Sequence, residues 1–180
     1  MPDTHVPELR TERLVLRAFR PADWGSVHMY GTDSDVVRFM DWGPNTPDET
    51  TVWLDRMIEA YEATPQTQFP FAVQRSADGR LVGSVELQIV NEEHQRGEMG
   101  YVIARDAWGN GYATEAATAL LRFGFDQLGL RRISATCDPQ NTGSARILHK
   151  IGMELEGRLR SYLLIRGEWR DRLVYAAIHP

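Results

Sequence analysis

The chain has 180 residues, of which 42% are hydrophobic and 25% charged, and its formal net charge is −5. This composition is that of an ordinary globular protein and argues against disorder. The acidic balance disfavours nucleic-acid binding as the main activity, because nucleic-acid binders carry an excess of basic residues. A single cysteine, Cys137, excludes an internal disulfide framework and a zinc site built from cysteines.

Length and hydropathy predict one cytoplasmic domain. At about 150 residues per domain, a chain of this size is expected to form a single domain. No apolar run approaches about 18 residues, so no membrane-spanning helix is expected. The opening segment MPDTHVPELRTER lacks the apolar stretch of a signal peptide. We therefore expect a soluble cytoplasmic protein whose partner is neither a nucleic acid nor a membrane.

The first half of the chain contains both strand and helix patterns. Alternating residues over 13–17 predict a strand, and Pro21 begins a helical pattern. A second helical period runs from Pro47 to Ala63, behind Thr46 as a cap residue. Three strands are predicted next, over residues 69–75, 81–90 and 97–104.

The second half of the chain contains one strand–helix–strand crossover. Apolar residues at helical spacing predict an amphipathic helix after the third of these strands, with Gly129 as its stop. A strand over 132–137 and a short helix over 141–151 follow, and two late strands flank a turn at Arg166. Together these elements predict a mixed α/β (α+β) single domain.

The most informative segment is the turn WGNGYAT at residues 108–114, between a predicted strand and a predicted helix. Glycines at 109 and 111 let the backbone approach a ligand without a Cβ in the way. Free N–H groups and the positive end of the helix dipole favour a phosphate group there. A tight turn without a ligand is the alternative reading. The nucleotide-hydrolase loop is absent, and the dinucleotide pattern G-x-G-x-x-G fails at Thr114.

Four segments in order resemble the GNAT family of N-acetyltransferases. EMGYVIARDAWGNGYATEA resembles the acetyl-CoA-binding motif [QR]-x-x-G-x-[GA], with Gly111 and Ala113 at its last two fixed positions. ELRTERLVLRAF, NTGSARILHKIGMELEGRLR and RGEWRDRLVYAAI resemble segments of the branch that includes the ribosomal-protein N-terminal (alanine and serine) acetyltransferases. The likeness covers nearly the whole chain, so a single GNAT domain over residues 7–178 is expected.

The resemblance implies a GNAT-like fold, with a central twisted mixed sheet that is splayed in the middle and flanked by about four helices. Acetyl-CoA would be the co-substrate, with its pantetheine arm in the split and its pyrophosphate on the glycine turn, and no metal is implied. A backbone N–H near Val102 would polarise the thioester carbonyl. The residues carried over to acetyl-CoA binding are Tyr101, Val102, Ile103, Gly109, Asn110, Gly111, Tyr112, Ala113, Thr114, Asn141 and Ser144.

The resemblance also implies the groups that assist the leaving thiolate. Asn141 matches an asparagine that contacts the pantetheine side of the cleft, and Ser144 matches a serine near the departing sulfur. Many relatives carry a tyrosine as general acid seven residues after the asparagine, where this chain has Leu148. Ser144 is therefore the best candidate to protonate or hydrogen-bond the thiolate.

Two glutamates, Glu86 and Glu98, are the candidate general bases. Both lie on predicted strands that border the cleft. The side-chain period of a strand decides which one points inward, and the register is open at this stage. A carboxylate on a solvated strand face is the alternative reading for each. Glu98 is preferred, because an acid just before the pantetheine-pairing segment is common in the family.

The implied activity is acetyl-CoA-dependent transfer of an acetyl group to a primary amine, by direct attack in a ternary complex. The α-amine of a protein or peptide is the expected acceptor. Deprotonating an α-amine at pH 7 costs roughly 1.4 kcal/mol, against roughly 4.6 kcal/mol for a lysine, so such an acceptor needs only a weak or water-relayed base. A small-molecule amine, such as a polyamine or an antibiotic, is the alternative acceptor. A non-catalytic acyl-CoA-binding GNAT module is the alternative class. Relatives also suggest a homodimer.

Overall fold

One sheet of eight strands dominates the computed structural model, which describes residues 7–179. In chain order the strands are β1 (Leu9–Arg10), β2 (Leu14–Arg17), β3 (Gln68–Arg75), β4 (Leu81–Asn91), β5 (Arg96–Ile103), β6 (Arg132–Cys137), β7 (Glu154–Ile165) and β8 (Glu168–Ile178). Their order across the sheet is β1-β2-β3-β4-β5-β6-β8-β7. Neighbouring strands are antiparallel except β5 and β6, which run parallel.

Four α-helices flank this sheet within the described residues: α1 (Trp24–Gly31), α2 (Pro47–Glu59), α3 (Tyr112–Asp126) and α4 (Thr142–Lys150). The mixed sheet with about four helices is therefore confirmed. Thr46 and Glu49 form a capping box at the start of α2, where a helix entry was expected. The helix ends four residues before the predicted Ala63, and beyond its end the buried Tyr61 hydroxyl donates to the Pro70 carbonyl of β3. The short β1 was not predicted.

Apolar side chains pack on both faces of the sheet. One core lies under α3 and α4 and includes Leu87, Leu120, Ile133 and Leu148. The other lies under α1 and α2 and includes Val27, Leu54, Met57, Ala72 and Val102. Because side chains alternate along a strand, successive residues of β4 and β5 serve opposite faces.

The sheet opens between β5 and β6. These strands share only three residue pairs, from Arg96 opposite Arg132 to Glu98 opposite Ser134. Beyond that point β5 stays paired with β4 as far as Ile103, and β6 stays paired with β8. The two halves of the sheet therefore diverge and leave a gap, here called the β5–β6 wedge, between residues 99–103 and 135–137. The expected splay in the middle of the sheet is confirmed.

Three arginines hold the irregular segment between α1 and α2, residues 32–46. Arg105 pairs with Asp33 and Asp35 at 2.9 Å each. Arg166, at the turn between β7 and β8, donates to the main-chain carbonyls of residues 37, 42 and 43 at 3.1, 3.2 and 2.7 Å. Arg172 of β8 donates to the Phe39 carbonyl at 2.9 Å. These bonds fix the 32–46 segment across the mouth of the wedge.

Candidate active site

A cavity of about 210 Å³ lies at the β5–β6 wedge. Its lining comes from β5, β6, the start of α4, the 32–46 segment and the β7–β8 hairpin. The lining residues are Phe39, Met40, Asp41, Met99, Gly100, Tyr101, Ala135, Thr136, Cys137, Asp138, Asn141, Ser144, Leu148, Leu163 and Arg172. Tyr101, Asn141 and Ser144, which are distant in sequence, thus share one cavity.

The edge of β5 that faces the wedge offers unpaired backbone groups. Ala104 N–H donates to Val82 at 2.8 Å, so Val102, which lies opposite Ser84, also directs its backbone toward β4. Tyr101 and Ile103 therefore turn their N–H groups toward the wedge. The Ile103 carbonyl accepts a hydrogen bond from the Trp108 indole at 2.7 Å. Of the N–H groups near Val102, those of Tyr101 and Ile103 are therefore the ones that face the wedge.

Tyr101 and Ser144 meet across the wedge. The Tyr101 hydroxyl lies 2.8 Å from Ser144 Oγ and donates to the Ser144 carbonyl at 3.2 Å. Burial raises the pKa of Tyr101 to about 12, although the hydrogen bond with Ser144 opposes the shift. Both hydroxyls therefore keep their protons at neutral pH. Leu148, at the family's usual tyrosine position, is fully buried and lines the cavity.

Asn141 is the N-cap of α4. Its Oδ1 accepts the Ser144 N–H at 3.0 Å, which positions Ser144 at the start of the helix. The Nδ2 group of Asn141 is then the donor that this side chain can offer to a ligand in the cavity.

The glycine turn stands between β5 and α3. Gly109 and Gly111 have φ values of 78° and 80°, in the left-handed region that favours glycine. No protein atom lies within 4 Å of a Cβ built at Gly109, and the nearest atom at Gly111 is Arg13 Nη2 at 3.5 Å. Backbone conformation, rather than crowding by the protein, therefore requires these glycines. Gly111 is the N-cap of α3, and the first N–H groups of this helix have no partner within it. They are available to bind a phosphate group at this turn.

The turn between β1 and β2 anchors the glycine turn through an ion pair. Arg13 Nε donates to Glu115 at 2.7 Å, and Arg13 Nη1 donates to the Asn110 carbonyl at 2.9 Å. Thr11 Oγ1 also donates to Glu115, at 2.6 Å. Hydrogen bonds from Thr11 and Arg13 lower the pKa of Glu115 against the opposing effect of burial, which is the largest single contribution. The anchor fixes the turn relative to the sheet.

The two candidate bases lie on the same face of the sheet but in different surroundings. Glu86 stands opposite Gly100, and Glu98 stands opposite Gln88 two pairs further along. Glu86 is half-buried and Glu98 is exposed. Burial raises the pKa of Glu86, and the nearby charge of Arg56 opposes that shift. No protein atom lies within 4 Å of a Cβ built at Gly100, so open space adjoins Glu86.

Within residues 7–179, no group of three or more histidine, cysteine, aspartate or glutamate side chains is placed to hold a metal ion. No helix of this part of the chain is long and apolar enough to cross a bilayer.

Comparison with known proteins identifies the family. The domain family described as "Acetyltransferase (GNAT) domain" matches residues 13–154. A crystal structure of a GNAT acetyltransferase from Bacillus anthracis is 34% identical and superposes with a TM-score of 0.84, over 96% of this chain and 98% of that one. The chain therefore belongs to the GNAT family of acetyltransferases, and it is an acetyl-CoA-dependent N-acetyltransferase.

Two similar enzymes have named acceptors. The spermidine N(1)-acetyltransferase of Escherichia coli is 30% identical over 96% of this chain and 86% of its own length. The [ribosomal protein uS5]-alanine N-acetyltransferase of the same species is 29% identical over 98% of this chain and 94% of its own length. These two relatives represent a polyamine acceptor and a protein acceptor.

Sequence reasoning missed three features of the site. The contact of the Tyr101 hydroxyl with Ser144 joins residues 43 positions apart. The Arg13–Glu115 pair spans 102 positions, although both residues stand in segments that carried the family resemblance. Arg172 lines the cavity from the closing hairpin; it also stands in a segment that carried the family resemblance, but nothing in the sequence marked it as a site residue.

The capping contact of Asn141 allows its structural and ligand-binding parts to be separated. Asn141→Ala loses the cap, so it should lower the free energy of unfolding by about 1 kcal/mol. Asn141→Asp keeps the capping oxygen but loses the amide donor, so stability should stay near wild type while turnover falls by roughly 3- to 10-fold. Thermal unfolding and initial rates check both variants. If Asn141→Asp turned over at the wild-type rate, the amide donor would have no part in the reaction, and Asn141 would serve only to cap α4.

Proposed function

We propose that this N-acetyltransferase acetylates the α-amine of a peptide or protein N-terminus. The observation that carries this proposal is the charge of the cavity. Its charged lining consists of Asp41 at the mouth and the pair Asp138–Arg172, whose side chains are separated by 3.5 Å. Once Arg172 is matched with Asp138, Asp41 is the one lining carboxylate left for a cationic acceptor, and Glu86 lies outside the lining. A polyamine carries several ammonium groups and calls for several unpaired carboxylates, whereas a peptide N-terminus carries one.

The base supports the same acceptor. An α-amine has a pKa of about 8, so a weak base is enough to remove its proton near neutrality. We infer that Glu86 is this base, directly or through water, because its pKa is raised by burial and open space lies beside it over Gly100. A raised pKa brings a carboxyl group closer to the pH at which a base is most effective. Glu98, preferred from the sequence, is exposed to solvent on its strand.

The remaining steps use groups that face the wedge. Acetyl-CoA supplies the acetyl group as a thioester. The N–H groups of Tyr101 and Ile103 are placed to donate to a carbonyl oxygen on which negative charge develops. As the carbon–nitrogen bond forms and the carbon–sulfur bond breaks, the Tyr101 hydroxyl turns its proton from the Ser144 carbonyl to Ser144 Oγ, and Ser144 donates its own proton in a hydrogen bond to the departing sulfur. The proton lost by the amine passes to Glu86.

The glycine turn would hold the pyrophosphate. Gly109, Asn110, Gly111, Tyr112 and Ala113 would offer their N–H groups, and Thr114 continues the first turn of α3. We further propose that the enzyme works in the cytoplasm as a single domain over residues 7–178. The homodimer stays a prediction.

A comparison of acetylation rates with different acceptors tests the proposed function. A short peptide with an N-terminal alanine, the same peptide with a formylated N-terminus, spermidine and an aminoglycoside are each supplied with acetyl-CoA, and free thiol is followed. We expect acetylation of the free peptide at its α-amine, located by mass spectrometry, and none of the blocked peptide. Faster acetylation of spermidine would contradict the proposal in favour of a polyamine acceptor. Binding of acetyl-CoA without acetylation of any amine would indicate a non-catalytic module.

The pH–rate profile distinguishes the two glutamates. Glu86→Gln should lower kcat by roughly 10- to 100-fold and flatten the rise of the rate with pH, because it removes the proton acceptor. The matched variant Glu98→Gln should keep the wild-type profile.

Stability provides a control for the Glu86→Gln variant. The folded-state pKa of Glu86 is raised, so the carboxyl stabilises the fold at low pH and loses that contribution as pH rises through this pKa. Glu86→Gln should therefore unfold at no lower temperature than wild type at pH 8. A flattened profile in Glu98→Gln with an unchanged one in Glu86→Gln would return the base to Glu98.

Loss of the Tyr101 hydroxyl should slow the departure of the thiolate. Tyr101→Phe removes the group that supports Ser144, and kcat should fall by roughly 10-fold, since a thiol of pKa about 8.5 leaves with little help. Affinity for acetyl-CoA should stay unchanged in equilibrium titration. A wild-type kcat would exclude the Tyr101 hydroxyl from the reaction.

A further inference from the structure

One buried donor of the cavity has no hydrogen-bond acceptor. Arg172 is 4% exposed, and its Nη2 donates to the Phe39 carbonyl at 2.9 Å. Its Nη1 lies 3.5 Å from Asp138 Oδ2, and among the described residues it makes no hydrogen bond. An unsatisfied buried donor is costly, and most buried polar groups in proteins have a partner. A ligand oxygen in the cavity would supply that partner.

Arg172 approaches the wedge from the face that carries Glu86. Its neighbours Leu173 and Tyr175 belong to the core under α3 and α4, so Arg172 projects from the opposite face, toward the 32–46 segment. Tyr101 packs against the core under α3 and α4, and its hydroxyl meets Ser144 there. Arg172 therefore stands on the side of the wedge with the proposed base, away from the Tyr101–Ser144 pair.

The surrounding charges favour a neutral oxygen as the missing partner. Asp138 already matches the charge of Arg172, and Asp41 adds a further negative charge at the mouth of the cavity. A carboxylate beside Nη1 would thus enter an acidic site, whereas a carbonyl oxygen accepts the hydrogen bond without added charge. The first carbonyl of a peptide lies one carbon from its α-amine.

We propose that Arg172 Nη1 donates a hydrogen bond to the first carbonyl oxygen of the acceptor, and thereby selects peptide N-termini over amines that lack a carbonyl beside the amino group. This inference rests on the proposed function, because it places the acceptor amine beside Glu86. Arg172 thereby contributes to the choice of acceptor, because a polyamine has no carbonyl oxygen to accept the hydrogen bond from Nη1.

A matched pair of acceptors tests this contact in the wild-type enzyme. One is a peptide with N-terminal alanine, and the other replaces its first amide by an E-alkene, which keeps the shape but removes the carbonyl. With rates expressed per free amine, kcat/KM should be about 10- to 100-fold lower for the alkene, since hydrogen bonds to charged groups are the stronger ones. In Arg172→Met the two acceptors should differ by less than about threefold, because the donor is gone.

Three controls separate this contact from a structural role. Arg170→Met on the same strand should keep the wild-type preference for the peptide. Affinity for acetyl-CoA should be unchanged in Arg172→Met. If Arg172→Met does not fold because Asp138 is left unpaired, the double variant Arg172→Met with Asp138→Asn removes both charges. The comparison of the peptide with its alkene in the wild-type enzyme does not depend on any variant.

The outcomes distinguish this inference from the proposed function. Equal rates for the peptide and its alkene in wild type would overturn the inference alone and leave Arg172 as a link between β8 and the start of α4. Faster acetylation of free alanine than of alaninamide would mean that Arg172 binds a carboxylate rather than a neutral carbonyl, and this result would also overturn the inference. Acetylation of spermidine without either peptide would overturn the proposed function and this inference together.

Discussion

The parallel pairing of β5 with β6 stops after three residue pairs, and the site depends on that stop. Had the pairing continued, the wedge-facing backbone of Tyr101 and Ile103 would be used within the sheet. Because the strands diverge, the same N–H groups face the open wedge instead, and Tyr101 lines its cavity. The divergence also opens the sheet from both faces, so that α4 reaches the wedge from one side and the 32–46 segment from the other.

Arginines do much of the positioning around this opening. The 32–46 segment lacks regular secondary structure over most of its length, yet Arg105, Arg166 and Arg172 bind its carboxylates and main-chain carbonyls. The planar guanidinium group offers five donors, which suits a segment rich in unpaired carbonyls. On the other side of the molecule, Arg13 ties the glycine turn to β2 by the same means. Both walls of the site are therefore fixed to the sheet by charged hydrogen bonds.

Local sequence signals predicted the elements well and their long-range contacts poorly. The capping residues of α2 and the strand over 132–137 follow from neighbouring residues, and the structure has them where they were expected. The helix α3 ends at Asp126, three residues before the expected stop at Gly129, which has a left-handed φ of 65°. The family resemblance implied the splay and placed Asn141 and Ser144 at the cavity. The proposed choice of Glu86 over Glu98 needed the burial of each side chain, which depends on how α2 packs across the sheet. Arg172 could not be found from sequence, because its partners lie more than 30 residues away.

We propose that acetyl-CoA lies in the wedge along the free edge of β5, and residue-resolved amide hydrogen exchange with and without saturating acetyl-CoA tests this placement. We expect slower exchange at Tyr101 and Ile103 and across the turn from Gly109 to Ala113. Val102 should be nearly unchanged, because its N–H already faces β4. Protection confined to the turn, or equal protection of Val102 and its two neighbours, would contradict it.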